Sequence, residues 1–419
     1  MIKEKVSINE KKTSLSVTNG KISAVLKSNV QKTGIRLYDN DCLGIAGAIG
    51  SYNENELTNN AKQMLKFKLP YSGKPTEDLN RSMDLSNKLT ITSEEFVGFS
   101  EKLLETLGKN HPQFMFNHKF NLIEGSISIE NDAGTHLVQK DKCAEFALML
   151  KHKESKSLAD GFGMVISREF DLDTVAKEIS KTCEAYEEKI DFSTENEKIP
   201  VILYGALGGH SELIKKFLTD LEGDTFGSGA SLFSGKTGEK LFNENFSLIV
   251  NRDSEATYES FFDGEGTVLS QDRYDLIQNG VLKSPFTTKR IANQYGFELT
   301  GSASLGYDTT PSVTAGGIEV ARSDKTLKEL LGGRKAIYVI MAAGGDFTPQ
   351  GEYASPIQAA YMYDGERFLG RLPQLAMSSN INDMFGKDFI GASSDGSYPG
   401  CPWSELVVEM DVRKIDDWL

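Results

Sequence analysis

The sequence predicts an α+β protein of two domains: a mixed α/β N-terminal domain over residues 1–197, and a C-terminal domain over residues 198–419 dominated by antiparallel β-sheet. The length of 419 residues, with 39% hydrophobic residues, is enough for sizeable cores. Apolar residues alternate on both sides of turn dipeptides, and short helical periodicities lie between them. The polar stretch at 191–199 marks the predicted boundary.

The N-terminal half opens with two predicted hairpins. Residues 15–26 alternate around Asn19-Gly20, a dipeptide suited to a type I′ turn, and residues 35–45 alternate around 39–41. A helix is predicted from an N-cap at Ser93 to a stop at Gly108, because apolar residues recur there every three or four positions. The other elements predicted here are a helix within 55–67, strands within 114–129 and 144–150, a turn at 131–134 and a helix over 173–190.

The C-terminal half is richer in glycine and in predicted strands. Asn279-Gly280 and Asp364-Gly365 each separate two short apolar runs, which predicts two more hairpins. Short helices are predicted over 210–221, 288–295 and 324–331, the last with Ser323 as its cap and Gly332-Gly333 at its end. These elements favour an antiparallel sheet with helices between its strands.

A series of short motifs occurs in a fixed order along this chain. They are PVILY at 200–204, LEGD at 221–224, SLFSGKTGE at 231–239, FFDGEGTVLS at 261–270, LIQNGVLKSPFTTKRIANQYG at 276–296 and GGDF at 344–347. In this order and spacing they resemble the TldD/PmbA family, cytoplasmic proteins once called modulators of DNA gyrase and related to a metallopeptidase. The resemblance extends from residues 14–29 to residues 405–412 and implies a similar two-domain fold.

The resemblance also directs attention to the helix before LEGD. In TldD-type members this helix reads HEAVGHGLEGD, in which two His bind zinc and the Glu activates water. Aligned on LEGD, this chain has Ile214 and Thr219 at the His positions and Lys215 at the Glu position. An aliphatic carbon and a hydroxyl cannot replace two imidazoles, and an ammonium is not a base at neutral pH. We therefore expect no metal ligands and no catalytic residue here.

A second difference lies near the C-terminus. TldD-type members supply a Cys ligand from a Gly-Ser-Cys-Gly-Lys-Asp-Gly-like loop, and the corresponding loop here is Gly391–Gly396. The Cys position falls on Ser393 or on Ala392, depending on the anchor chosen, and neither offers a thiolate. Cys401 could substitute only if the loop were rebuilt. Loss of all these ligands is typical of the PmbA (TldE) kind, so no cofactor is expected.

Composition excludes several classes of partner. The net charge of −14 and the lack of a dense Lys/Arg run argue against nucleic acid. The four Cys lie far apart with no CxxC pair, so neither a disulfide framework nor a thiolate zinc cluster is indicated. The first residues lack a hydrophobic signal core and no apolar run is long enough for a membrane span, which favours a cytoplasmic location and no membrane partner.

The resemblance implies that this chain pairs with a TldD-type zinc peptidase chain, as a heterodimer, a homodimer or both. The shared cleft would hold an extended, unfolded peptide while the other chain cuts it. Edge strands recruit peptides through main-chain hydrogen bonds, and glycines let backbones approach closely. The candidate cleft residues are Gly227, Gly229, Gly344, Gly345 and Asp346, although the glycines also fit tight turns.

Two alternatives stay open at this point. The chain could be an autonomous metal-dependent peptidase or hydrolase whose ligands come together only in the fold. It could also be a homodimeric peptide-binding or scaffold protein without a peptidase partner. Whether the chain is itself an enzyme is therefore left open.

Overall fold

The structure is a computed structural model that describes residues 1–193, 198–205, 209–342, 344–396, 398 and 400–415, with only the backbone of residues 209–211. Its N-terminal part is built on one seven-stranded sheet with the order β3-β2-β1-β5-β6-β4, and β7 also pairs with β6. The strands are β1 Ile2–Thr18, β2 Lys21–Asp39, β3 Cys42–Ile49, β4 Asn80–Asp84, β5 Phe114–Asn131, β6 His136–His152 and β7 Gly161–Ser167. The helices of this part are α1 Glu54–Leu65, α2 Ser93–Asn110 and α3 Leu172–Ser180.

Both N-terminal hairpins are confirmed. Asn19 and Gly20 join β1 to β2 with φ of 49° and 71°, as a type I′ turn requires. Asn40 and Asp41 turn β2 into β3 with φ of 47° and 57°. Every pairing in this sheet is antiparallel except the one between β4 and β6.

Three helix predictions need correction. The cap of α2 is Thr92 rather than Ser93, since Thr92 and Glu95 form a reciprocal capping box, and the helix continues through Gly108 to Asn110. The same motif, with Thr326 in place of Ser323, begins the helix at Leu327.

The third correction concerns α3, which ends at Ser180 instead of 190. Beyond that point the backbone N–H groups of Lys181, Cys183 and Tyr186 bond to carbonyls three residues back, so tight turns replace the helix. Cys183 and Tyr186 nevertheless remain in the core that α3 joins.

The C-terminal part contains two sheets, with strand orders β11-β10-β9-β12 and β13-β8-β19-β17-β15-β14. Additional pairing of β13 with β15 closes β13, β8, β19, β17 and β15 into a ring. Its strands are β8 Ile199–Leu203, β9 Leu248–Asn251, β10 Arg273–Gln278, β11 Val281–Leu282, β12 Ile318–Val320, β13 Ala336–Ala342, β14 Asp346–Phe347, β15 Glu352–Tyr363, β16 Phe368–Arg371, β17 Leu375–Asn380, β18 Phe389–Gly396 and β19 Ser404–Lys414. Its helices are α4 Gly209–Asp220, α5 Gly223–Gly227, α6 Lys289–Tyr295, α7 Leu327–Leu331 and α8 Ile381–Met384.

The fold class predicted from the sequence is confirmed, with 42% strand, 19% helix and mostly antiparallel sheets. The predicted hairpins at Asn279-Gly280 and at Asp364-Gly365 are present as β10–β11 and β15–β16. The predicted boundary at residue 197 falls in 194–197, outside the described residues, so the two domain ranges stay a prediction. No helix in the described part of the chain is both long and apolar enough to cross a membrane.

A buried ion pair joins the first sheet to the C-terminal half. Arg36 on β2 and Glu4 on β1 are both fully buried, with 3.3 Å between Nη1 and Oε1. The Arg36 guanidinium also donates to the carbonyls of Gly264 and Gly306, the latter at 2.7 Å. One side chain therefore holds two loops of the C-terminal half against the N-terminal sheet. A buried charge needs such a set of partners, because desolvation otherwise costs several kcal/mol.

Replacing Arg36 should destabilise the whole chain. Arg36→Met leaves the Glu4 carboxylate buried without its charge partner, and we expect the free energy of unfolding to fall by about 3–5 kcal/mol. Urea denaturation followed by circular dichroism measures the change. Lys88→Met is the control, since it breaks an exposed ion pair with Glu255 and should leave the midpoint unchanged. Equal effects of the two substitutions would contradict this role.

Candidate functional site

The helix α4, which carries the three positions aligned in the sequence analysis, is an amphipathic packing helix. Leu213, Ile214 and Phe217 on one face are buried in the largest apolar cluster of the protein, and Leu221 follows in the same cluster. The Phe217 ring contacts four other aromatic rings of this cluster with centroid distances of 5.0–5.5 Å. The sequence forms this helix because apolar residues recur every three or four positions.

The three aligned positions on α4 have different environments. Ile214 is 1% exposed and packs in the core, whereas Lys215 and Thr219 are exposed. The Lys215 ammonium lies 2.9 Å from the carboxylate of Asp346, and the Thr219 hydroxyl donates to the Lys215 carbonyl at 3.1 Å. The helix therefore does not bring the residues at the two His positions to one site.

The C-terminal loop is equally occupied by structural contacts. Ala392 belongs to the same apolar cluster as Ile214. Ser393 is fully buried, where its hydroxyl accepts from the backbone N–H of Glu405 at 3.1 Å and donates to the carbonyl of Asp395. Cys401 lies in a different apolar cluster from Ala392, and among the described residues it is not part of any group of His, Cys, Asp or Glu side chains placed to hold a metal.

The residues at these positions do not fit a zinc ion. Ile214 is an aliphatic side chain in a packed core, and Thr219 offers only an exposed hydroxyl. The loop offers either the Ala392 methyl group or the hydrogen-bonded Ser393 hydroxyl. None of these positions supplies an imidazole or a thiolate. Within the described residues, no group of three or more His, Cys, Asp or Glu side chains is placed to hold a metal. No step of a metal-dependent reaction can be assigned to these side chains.

The burial of Ile214 in the apolar core leads to a prediction about the stability of two variants. Ile214→Ala should lower the free energy of unfolding by about 2–4 kcal/mol, because the truncation leaves a cavity in the main core. Thr219→Ala, five residues further along the same helix, should change it by less than about 0.5 kcal/mol because its side chain is exposed. Urea titrations of the two variants give the comparison. A silent Ile214→Ala would show that this position is not core.

The five predicted cleft residues divide into packed and open positions. A Cβ on Gly227 would lie 2.6 Å from the Tyr295 ring, and one on Gly345 would lie 2.4 Å from the Ser355 side chain, so both glycines permit close packing. Gly229 and Gly344 have φ of 82° and 88° and open space around them, as in exposed turns. The role of these residues in holding a peptide stays a prediction.

Asp346 is an exposed residue of the edge strand β14, which pairs with β15 alone among the described strands. Its ion pair with Lys215 lowers the pKa of its carboxyl group. The ion pair ties this hairpin to α4. This contact joins an exposed strand to an exposed face of the helix.

A groove of about 1040 Å³, which sequence reasoning missed, lies between α3 and the C-terminal sheet. Aromatic side chains of Tyr338, Tyr363 and Phe368 form part of it, and Gly396 lies at its border with the loop already described. Tyr338 belongs to a smaller apolar cluster, while its neighbours Ile337 and Val339 belong to the cluster of α4. The groove therefore faces away from α4.

The groove is acidic. Seven carboxyl groups line it against three basic side chains; the acidic ones are Asp173, Glu178, Glu184, Glu188, Glu366, Asp395 and Glu405, and the basic ones are Lys177, Lys181 and Arg367. The Glu178–Lys181 ion pair closes at 2.6 Å. These residues come from several elements far apart in sequence, so no local sequence pattern predicts the groove.

The groove and the predicted cleft residues lie far apart. Asp346 pairs with Ala354 near the start of β15, whereas Tyr363 at the end of the same strand lines the groove. Nine residues of strand span about 30 Å. The groove and Asp346 therefore lie on separate parts of the protein surface.

A neighbouring cavity of about 770 Å³ shares Glu178 and Gly396 with the groove and is lined by a buried acid, Glu319. The Glu319 carboxylate accepts a hydrogen bond from the Asn251 amide at 2.7 Å. Burial, acting against this hydrogen bond, raises the pKa of Glu319 to about 7. A group with a raised carboxyl pKa binds its proton more tightly in the folded protein than in the unfolded chain.

Glu319 should make stability pH-dependent. Its contribution is complete below the unfolded pKa of about 4.5 and is lost as the pH rises through about 7. Glu319→Gln cannot ionise, so between pH 5 and pH 8 it should gain up to about 3 kcal/mol of stability relative to wild type. Urea midpoints at the two pH values measure this gain, with Glu101→Gln at an exposed position of α2 as the control. A gain of equal size in both variants would contradict it.

The fold and these positions define a class: an α+β protein with mostly antiparallel sheets, in which the helix α4 is packed into an apolar core. The family model described as "PmbA/TldA metallopeptidase C-terminal domain" matches residues 196–409. This chain therefore belongs to the PmbA/TldD family of metallopeptidase-related proteins. This confirms the resemblance read from the motifs.

Three relatives define the extent of the similarity. The uncharacterized protein MJ0231 of Methanocaldococcus jannaschii is 30% identical over 158 residues, which is 37% of this chain and only 36% of that protein. Metalloprotease MJ0996 of the same organism is 22% identical over 403 residues, covering 89% of this chain and 85% of the relative. The crystal structure of TldE from Thermococcus kodakarensis is similar in fold, with a TM-score of 0.79, 16% identity and coverage of 98% and 96% of the two chains.

Proposed function

We propose that this chain is the PmbA/TldE-type, non-catalytic subunit of a TldD-type metallopeptidase complex located in the cytoplasm. It binds extended, unfolded peptides and presents them to the zinc of its partner chain. Neither a cofactor, a nucleic acid nor a membrane takes part in this function. The partner, the peptide and the location belong to the proposal, since a likeness in fold carries none of them.

One observation carries the proposal. Ile214, at the first ligand position, is packed in an apolar cluster with Ala392, one of the two residues aligned with the Cys ligand. A position that has become core cannot accept a cation without losing packing and burying an unpaired charge. Within the TldD/PmbA family, a chain with this core supports a role in binding rather than in cutting.

The acidic groove is the proposed site for the peptide. Its volume of about 1040 Å³ is enough for several residues of extended chain, and its aromatic side chains offer apolar contact with little demand on sequence. The excess of carboxyl groups favours peptides that contain Lys or Arg. The residues Gly227, Gly229, Gly344, Gly345 and Asp346 are the candidates for a second cleft, where β14 offers an edge strand.

Mixing the chain with a TldD-type chain from the same cell should create peptidase activity that neither shows alone. Glu184→Lys adds positive charge to an exposed position of the groove, and we expect it to raise the KM for a Lys- and Arg-containing peptide roughly five- to tenfold. Glu101→Lys makes the same change on α2 outside the groove and is the matched control. Steady-state cleavage of a fluorogenic unfolded peptide gives both values.

The other outcomes discriminate between the alternatives. Cleavage by the isolated chain that a chelator abolishes would establish an autonomous hydrolase. Peptide binding without any cleavage in the mixture would favour the scaffold protein. An unchanged KM for the Glu184→Lys variant would show that the peptide does not bind in the groove. A raised KM for Gly344→Trp would then favour the second cleft.

A further inference from the structure

The sheet β11-β10-β9-β12 has one apolar face and one polar face. Alternate residues of β9 and β12 are buried in the main apolar core. Ile249 and Asn251 alternate with them on β9, so they point to the opposite face. Their register partners on the neighbouring strands, Glu319 and Arg273, share that face. These four residues and Arg322 line the cavity of about 770 Å³ that adjoins the acidic groove. This cavity, the Arg322 cavity, is within the size range of small-ligand sites.

Arg322 brings to this cavity a positive charge that is not neutralised by a described carboxylate. Its guanidinium donates to the backbone carbonyls of Ser394 at 3.0 Å and Cys401 at 2.8 Å, which fix its position. Among the described residues, no Asp or Glu forms an ion pair with it. The cavity is also lined by Arg273, whose guanidinium already pairs with Asp275 at 2.8 Å. The cavity therefore holds a positioned cation that can pair with an anion.

Two acids line the cavity and leave this charge in place. Glu178 pairs with Lys181 at 2.6 Å. Glu319 accepts a hydrogen bond from Asn251, and burial raises its pKa to about 7, so about half of the molecules carry it uncharged at neutral pH. An anion that enters the cavity therefore meets less negative charge than the number of acidic residues implies.

The buried hydroxyl of Tyr398 also lines the cavity. Tyr398 is 4% exposed, and its ring packs edge-on against Tyr204. Among the described residues, its oxygen has no nitrogen or oxygen partner, and the Cys401 thiol beside it is a weak one. A buried hydroxyl that lacks a good hydrogen bond destabilises a fold. A carboxylate oxygen in the cavity would supply the missing acceptor.

The charge changes sign between the groove and this cavity. The two spaces adjoin, since Glu178 and Gly396 line both. The groove has seven carboxyl groups against three basic side chains, whereas Arg322 gives the described lining of the cavity an unpaired positive charge. An extended peptide carries one obligatory negative group, the carboxylate at its C-terminal end, and Lys or Arg side chains can come before it. Such a peptide matches both spaces when its end lies in the cavity.

We propose that the Arg322 cavity binds the C-terminal carboxylate of the peptide that lies in the acidic groove, with Arg322 as its ion-pair partner and the Tyr398 hydroxyl as a hydrogen-bond donor. This inference rests on the proposed function and adds the class of substrate, a peptide with a free C-terminus. It also fixes the direction of the peptide, because the residues before the last one extend from the cavity into the groove. The carboxylate of an Asp or Glu side chain has the same chemistry, so the test separates the two sources.

Binding of matched peptides to the isolated chain tests this assignment. An unfolded peptide that contains Lys and Arg carries a fluorophore at its N-terminus and ends either in a free carboxylate or in an amide. We expect fluorescence anisotropy to give a Kd at least tenfold lower for the free acid, because the amide cannot form the charged hydrogen-bonded pair. A third peptide, amidated and with Glu as its last residue, should bind like the other amide.

The outcomes separate this inference from the proposed function. Equal Kd values for the acid and the amide would overturn the C-terminal site and leave peptide binding in the groove intact. A Glu-ending amide that binds as tightly as the free acid would also overturn it, because a side-chain carboxylate would then be the recognised group. If none of the peptides binds, the peptide site in the groove fails together with this one.

Two substitutions test the residues of the site. Arg322→Gln should reduce the preference for the free acid to about threefold or less, and Tyr398→Phe should raise the Kd of the free acid about three- to tenfold. Arg413→Gln, at an exposed position of β19 outside the cavity, is the matched control and should keep the full preference. Unchanged affinity for the amide, together with circular dichroism, shows that each variant is folded. A full preference for the acid in Arg322→Gln would contradict the proposal.

Discussion

The apolar contact between α4 and the core beneath it determines what this half of the molecule can do. Ile214 and Phe217 are anchored in a cluster that also takes side chains from β8, β13, β18 and β19. This anchoring fixes the rotation of the helix and directs Lys215 toward solvent, where it meets Asp346. Filling a core to native density leaves no room for an ion and its ligands. The same packing that stabilises the domain therefore removes the chemistry that relatives with His at these positions would have.

A second constraint acts between the two halves of the chain. The Arg36–Glu4 pair and its bonds to the Gly264 and Gly306 carbonyls hold the N-terminal sheet against loops of the C-terminal half. The acidic groove lies between α3 of the first half and the sheet of the second. Its shape depends on both halves keeping their positions, so the fold links a structural ion pair to the proposed peptide site.

Much of the fold could be predicted from the sequence, because its signals are local. Asn-Gly and Asp-Gly dipeptides located three hairpins and the polar residues 39–41 a fourth, while β5 and the second half of β6 were also located. The errors were at helix ends, where Thr92 and Thr326 cap better than the neighbouring Ser residues through capping boxes. The end of α3 was missed because its buried side chains continue at helical spacing through tight turns.

The candidate site was less predictable, since its parts come from distant segments. The motifs gave the family and the substituted positions, and the structure adds that Ile214 and Ala392 share one core. The groove depends on which distant elements the fold brings together, and no single segment of the sequence indicates that arrangement. Glycines were ambiguous from sequence, because a close packing contact and an open turn both require the residue.

The zinc content of the purified chain tests the central claim most directly. After equilibration with excess zinc and gel filtration, elemental analysis should find far less than one zinc per chain, because the aligned side chains provide no imidazole or thiolate. A TldD-type relative treated in the same way is the positive control. One equivalent of tightly held zinc in the isolated chain, together with peptide cleavage that depends on it, would contradict this account.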